Sequence, residues 1–166
     1  MNRRPSLQPV AVFSKTNLMN LGGIEIVNLI SSLVQIAIAY VLALPVAWDR
    51  EKAARSAGLR TFPLVAMASC GYLLLAVRIF GTSNESLARV IPGLITGIGF
   101  IGGGAILKNR DGVEGTATAA SIWNTGAIGA AVALNRYEIA LVLSILNFIT
   151  LRFLTPIKRS LSDEQD

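Results

Sequence analysis

The chain has 166 residues, 52% of them hydrophobic and only 15% charged, with a mean hydropathy of +0.57, which leaves room for one compact bundle and excludes a large soluble domain. It contains no histidine and one cysteine, Cys70, so an intrachain disulfide, a cysteine metal cluster and a histidine base or proton relay are all excluded. The formal net charge is +5, but the basic residues lie between apolar stretches rather than on one surface, which fits loops of a membrane protein better than a nucleic-acid interface.

Residues 1–25 carry Arg3, Arg4 and Lys15, and their longest apolar run, 10–13, is too short for a signal-peptide core. They read as a polar lead-in, disordered or interfacial. Five charge-free windows follow, at 26–48, 61–77, 90–107, 115–135 and 139–151. The first four come close to the roughly 20 residues of a membrane helix. The fifth is short and reaches a spanning length when Arg152 snorkels and the helix continues through Leu154. Lipid forces each span to satisfy its own backbone, so the windows must be helices. The expected fold is an all-α membrane protein, a polytopic bundle of about five transmembrane helices over 26–154, with a short cytoplasmic tail at 155–166. No repeat of 20 to 50 residues is present, and one domain is expected.

Boundary signals support these windows. Thr61 is expected to cap the second helix with Pro63 in its first turn, Pro92 to lie near the start of the third, and Asp111-Gly112 to form a tight loop. Basic residues cluster after the first window (Arg50, Lys52, Arg55, Arg60), after the third (Lys108, Arg110) and after the fifth (Arg152, Lys158, Arg159). The positive-inside rule places these segments in the cytoplasm, with the N-terminus outside and the C-terminus inside.

The first window carries a polar stripe, Asn28, Ser31, Ser32 and Gln35, at i, i+3, i+4 and i+7, with Glu25 and Asp49 near the same line at its ends. Such a stripe is expected to face protein or water. It suits a bundle seam, an oligomer interface or an ion path.

The third window contains G-L-I-T-G-I-G-F-I-G-G-G from Gly93 to Gly104. Gly97, Gly99 and Gly102 match the spacing of a dinucleotide-binding loop, but that loop needs a preceding strand and a ribose-binding acid. Arg89 and Lys108 instead enclose an uncharged stretch of membrane-spanning length. On a helical wheel the glycines fall on two faces, each able to admit a close neighbour; an unwound segment lining a site is the functional alternative. The fourth window is rich in alanine and glycine and should pack against the third as an antiparallel hairpin. Its Thr118, Ser121 and Thr125 share a face, with Asn124 beside them, suited to interhelical hydrogen bonds or to a polar cavity.

A magnesium or calcium pore needs carboxylates at membrane depth. The acids here (Glu25, Asp49, Glu51, Glu85, Asp111, Glu114, Glu138) lie at window ends or in loops. A divalent sensor of Asp49, Glu51, Asp111 and Glu114 at the cytoplasmic rim would be partly neutralised by the neighbouring cations. Anionic lipid headgroups are an equally good partner for those cations.

Two segments carry a resemblance. W-D-R-E-K-x-x-R-S-A-G-L-R-T, from Trp48 to Thr61, resembles the cytoplasmic loop of the MgtC/SapB family of bacterial inner-membrane proteins. G-I-G-F-I-G-G-G-A-I-L, from Gly97 to Leu107, followed by V-E-G-T-A-T-A-A-S-I-W, from Val113 to Trp123, is similar to that family's second signature. Together they cover the membrane domain from about residue 30 to 150. The chain differs in reading L-P-V-A-W before Asp49, where the family usually has glycine, and in placing aspartate first in the acid-Arg-Glu triplet. Long members carry a soluble regulatory domain after the last span, and its functions are not implied here. The positions that match the motifs are Asp49, Arg50, Glu51, Gly58, Arg60, Thr61, Gly97, Gly99, Gly102, Gly104, Gly115, Thr118 and Trp123; Asn28, Ser32 and Gln35 of the polar stripe join them as candidates.

The resemblance implies a multi-pass protein of the bacterial inner membrane, linked to growth at low magnesium and to virulence. It implies a regulator acting on membrane partners, including the F-type ATP synthase, rather than a transporter. No enzymatic activity, cofactor or nucleic-acid partner is expected. Exposed small-residue faces point to a homo-oligomer, most simply a dimer. The alternative is a transporter or channel for a small solute or ion.

Overall fold

The computed structural model describes residues 20–21, 24–53, 57–109 and 112–163. A two-residue antiparallel pair, β1 (Asn20–Leu21) with β2 (Ile24–Glu25), leads directly into α1 (Ile26–Ala53). Then come α2 (Thr61–Phe80), α3 (Asn84–Gly103), a hairpin of β3 (Leu107–Asn109) and β4 (Gly112–Glu114), α4 (Thr116–Ala133) and α5 (Tyr137–Asp163). The described residues thus form an all-α bundle of five helices apart from two small hairpins. Four of them, α1, α2, α3 and α5, are long and apolar enough to cross a membrane.

The helix left out of that group is α4, not the fifth window whose shortness drew attention in the sequence. The fifth window sits inside a longer helix, because α5 begins at Tyr137, accommodates Glu138 and Arg152, and continues as helix to Asp163. Helix α4 is built from Ala, Gly, Ser and Thr more than from large aliphatic residues, and much of it is turned inward. It is the axis of the bundle and packs against α1, α2, α3 and α5. Its 18 residues make about 27 Å of helix, near the roughly 30 Å thickness of the hydrocarbon layer.

Small residues let the other helices close on this axis. A Cβ on Gly129 would overlap the Ala66 carbonyl of α2, and one on Gly126 would overlap Ile98 of α3. Two buried clusters result, stacked along the bundle. One gathers Ala39, Ala43, Cys70, Leu73, Ile128 and Ala140 among others; the second gathers Val46, Ala47, Phe62, Ile98, Ile122 and Leu151. Cys70 is free and fully buried. It is therefore expected to react with a membrane-permeant maleimide only after denaturation, which mass spectrometry of labelled, folded protein would check.

Two boundary expectations are corrected. Thr61 does not cap α2: it is the first helical residue, the N-cap is Arg60, and no side chain caps this end. Helix α3 starts well before Pro92, which lies inside it. Ser83 is its N-cap and accepts a hydrogen bond from the Ser86 backbone N–H at 3.3 Å. Arg89, which bounds the third window in the sequence, belongs to the helix and forms an exposed i,i+4 pair with Glu85 at 2.8 Å. Of the expected Asp111-Gly112 loop, Gly112 has φ +140°, while Asp111 lies outside the described residues.

Candidate functional site

The bundle brings the two sequence motifs to one end. Helix α1 finishes there, α2 starts, α3 finishes and α4 starts, so the Trp48–Thr61 segment and the Gly97–Trp123 segment face the same apolar cluster. Val46 and Ala47 precede the first motif on α1, Phe62 follows it on α2, and Ile98 and Ile122 belong to the second; all pack together with Leu151 of α5.

Within D-R-E-K the charges are sorted by direction. Arg50 continues the face of α1 that holds Val46 and Ala47, and it is buried. Its Nη2 donates to Asp49 Oδ2 at 2.8 Å, with side-chain exposures of only 6% and 12%. The Arg50 Nε is buried and has no hydrogen-bond partner among the described residues. Glu51 turns back over the loop, where its Oε2 accepts the Leu59 backbone N–H at 2.8 Å. Gly58 lies directly under that carboxylate: its missing side chain makes the contact possible, since a Cβ there would overlap the Glu51 carboxylate. Phe62 N–H donates to the Gly58 carbonyl at 3.2 Å and ties the turn to α2. Arg60 is exposed, and Thr61 half-buried. Lys52 lies over the Trp48 ring, 5.0 Å from its centroid, with both residues exposed.

The second motif has one anchored part and one open part. Gly102 is buried, and a Cβ on it would stand 3.0 Å from the Ala119 carbonyl of α4. Gly104 ends α3, its N–H donating to the Phe100 carbonyl at 3.1 Å. Gly115 takes φ +84° as the N-cap of α4, and a Cβ there would overlap the Ala105 carbonyl, so this position needs glycine on both conformational and steric grounds. By contrast Gly97 and Gly99 are exposed, with nothing within 4 Å of an added Cβ. Neither of the two expected close-packing faces is therefore filled by another helix among the described residues; the glycine that packs against α4 is Gly102, which lies between them on the wheel. Gly93 and Gly97 instead floor an apolar cleft of about 520 Å³ between α2 and α3, also lined by Tyr72, Leu75, Ile79 and Ile101. Thr118 is buried, while Trp123 is half exposed on the outer side.

Part of the polar stripe of α1 meets protein, while its Ser31 is exposed. Gln35 is buried and its Nε2 donates to the Val132 carbonyl at 3.3 Å and to Asn135 Oδ1 at 3.1 Å. Arg78 of α2 donates to the Asn28 carbonyl at 2.9 Å and to Ser32 Oγ at 3.2 Å, and the Asn28 side chain donates to Glu25. On α4, Ser121 Oγ donates to Asn147 Oδ1 at 3.1 Å, Thr125 Oγ1 to the Ser121 carbonyl at 2.8 Å, and Asn124 Nδ2 to the Leu143 carbonyl at 3.3 Å. These are mainly interhelical bonds of the kind that hold membrane bundles together.

Sequence reasoning missed the inward face of α5. Ala140, Ser144, Asn147 and Leu151 recur at i, i+4, i+7 and i+11, a helical period visible in the sequence. Ser144 Oγ donates to the Leu42 carbonyl at 2.6 Å, and Asn147 Nδ2 is buried without a partner among the described residues. Among the described residues the acidic rim does not assemble. Asp49 and Glu51 are engaged as described, Asp111 lies outside the described residues, and no group of three or more potential metal ligands occurs among the described residues.

Comparison with known proteins decides the family. The MgtC family model matches residues 36–160, three quarters of the chain. The chain belongs to the MgtC family. SrpB of Synechococcus elongatus is 31% identical over 129 residues, covering 70% of this chain and 71% of that protein. MgtC of Salmonella typhimurium LT2 is 33% identical over 108 residues, which is 65% of this chain and 46% of the relative. YhiD of Escherichia coli K12 is 28% identical over 125 residues, 72% and 58% respectively. The chain thus spans about half the length of these last two relatives. No solved structure matches.

Proposed function

We propose that this MgtC-family chain is a membrane-embedded regulatory protein that acts by binding other membrane proteins, without catalytic chemistry of its own. Its setting is adaptation to magnesium limitation or stress. The reading places it in the bacterial inner membrane as a dimer, N-terminus outside and C-terminus in the cytoplasm, with the F-type ATP synthase as a candidate partner.

The observation that carries this reading is the closure of the polar seam. Between the Gln35–Asn135 bonds and the Ser121–Asn147 bond lies an apolar layer containing Ala39, Ala43, Ile128 and Ala140, all fully buried. The hydroxyls of Ser144 and Thr125 near that layer are spent on backbone carbonyls. Across that layer an ion would exchange its hydration shell for alkyl groups and a few hydroxyl oxygens, a costly trade.

The test is reconstitution. Vesicles holding the purified chain are expected to show no flux of magnesium, potassium or protons above protein-free vesicles. Gentle extraction is expected to recover a membrane partner, and inverted membranes enriched in the chain should pump protons more slowly with ATP. A saturable magnesium flux would overturn the reading.

The second reading, a transporter, is favoured by two buried donors without partners among the described residues, Arg50 Nε and Asn147 Nδ2. These flank the cluster of Val46, Ile122 and Leu151, and unpaired buried donors call for an acceptor. Such donors suit an anion or an oxygen-bearing solute; the name of YhiD speaks of magnesium transport, which a guanidinium and an amide N–H would not serve.

A further inference from the structure

Arg50, Glu51 and Lys52 follow one another on α1, yet each charge meets a different environment. The Asp49 carboxylate is held by Arg50 inside the bundle, and the exposed Glu51 carboxylate accepts the Leu59 N–H. Lys52 has no carboxylate within ion-pair distance among the described residues; the ion pairs found there are Arg50–Asp49 and Arg89–Glu85. The tetrad is neutral as written, and its exposed members are Glu51, whose carboxylate is turned to the Leu59 N–H, and Lys52, which has no such partner. Glu51 and Lys52 are adjacent and so point about 100° apart around the helix, whereas Trp48 and Lys52 lie one turn apart on the same line.

Depth matters as much as charge. The apolar span of α1 covers Ile26–Lys52, 27 residues. That is about 40 Å of helix against a hydrocarbon layer of roughly 30 Å, so its last turn reaches the headgroup layer. Trp48 is 57% exposed there, an amphipathic ring at the depth where such rings anchor. The ring also holds the Lys52 ammonium 5.0 Å from its centroid, so the cation is positioned before a ligand arrives. Arg60, exposed and without a carboxylate partner among the described residues, adds positive potential to the same loop.

We propose that Trp48 and Lys52 form a binding site for an anionic phospholipid. Lys52 donates to the phosphate diester, and the Trp48 indole lies against the glycerol and upper acyl chains. Arg50 takes no part, because it is buried and committed to Asp49.

The chain has two tryptophans, so a Trp123→Phe background reports Trp48 alone. In bilayers of mixed composition, acyl-brominated phosphatidylglycerol is expected to quench this tryptophan with an apparent preference of about fivefold over brominated phosphatidylcholine. Lys52→Gln should bring the ratio to one, and Lys52→Arg should preserve it. Equal quenching by the two lipids, or a preference unaltered by Lys52→Gln, overturns the site. Loss of the preference on adding millimolar inorganic phosphate overturns the lipid assignment in favour of a soluble phosphate ligand. Should the Trp123→Phe background fail to fold, native mass spectrometry of the chain with both tryptophans gives the same decision. Retained phosphatidylglycerol that Lys52→Gln removes supports the site, and equal retention overturns it.

Discussion

Gly129→Ala is expected to destabilise the bundle by about 2 kcal/mol, while Gly97→Ala leaves it unchanged or slightly more stable. Both are glycines inside helices, so conformational preference alone favours alanine at each. The difference lies in what the new methyl meets. At Gly129 it overlaps the Ala66 carbonyl and comes within 2.9 Å of the carbonyl carbon and 3.0 Å of Ser69 Cβ. Those are backbone and near-backbone atoms of α2, and they move only if α2 and α4 separate, which loosens Ile128 and Val132 in the same cluster. At Gly97 nothing lies within 4 Å. Gly126→Ala should fall between the two, because its obstacle is the Ile98 side chain, whose end can rotate. Thermal unfolding in detergent, followed by size-exclusion chromatography with fluorescence detection, ranks the three. A Gly129→Ala protein as stable as the parent would refute the close α2–α4 contact.

The same contrast shows what the sequence could and could not reveal. Hydrophobic windows located all five helices, since lipid demands apolar runs of a definite length. Their ends were misjudged because charges were used as fences. Arg89 lies within α3, Glu138 and Arg152 within α5, and Asp49 to Lys52 within α1, all as helix that extends beyond or snorkels out of the hydrocarbon. The glycines of 93–104 announced close approach but not to whom. Gly102 met α4, whereas Gly97 and Gly99 met nothing in the chain. A wheel gives the direction of a face, and only the packed bundle says which face is turned inward. The motif positions were legible as a set, yet the fate of each charge in D-R-E-K depends on contacts across eight residues and on burial. Adjacent residues with opposite signs cannot show by themselves that Arg50 is inside and Lys52 outside.

That internal pair yields the second large effect. Asp49→Asn is expected to cost about 3 kcal/mol, because it leaves the buried Arg50 guanidinium without a counter-charge, its Nε already without a partner among the described residues. Arg50→Met should cost less. The Asp49 carboxylate left behind is 12% exposed at the end of the span, so water can reach it. The double variant Asp49→Asn/Arg50→Met removes both charges and keeps an unbranched apolar side chain beside Val46 and Ala47. It is expected to be more stable than Asp49→Asn alone, so the two effects are far from additive. Unfolding midpoints of the four proteins in one detergent give this coupling directly. Additive losses would mean that Asp49 and Arg50 do not stabilise one another, and the triplet would then have to act through contacts outside the chain. A strong coupling with near-native stability in the double variant has the opposite meaning. The pair would be a neutral plug that closes this end of the bundle, and any loss of function in the stable double variant would report on its role rather than on folding.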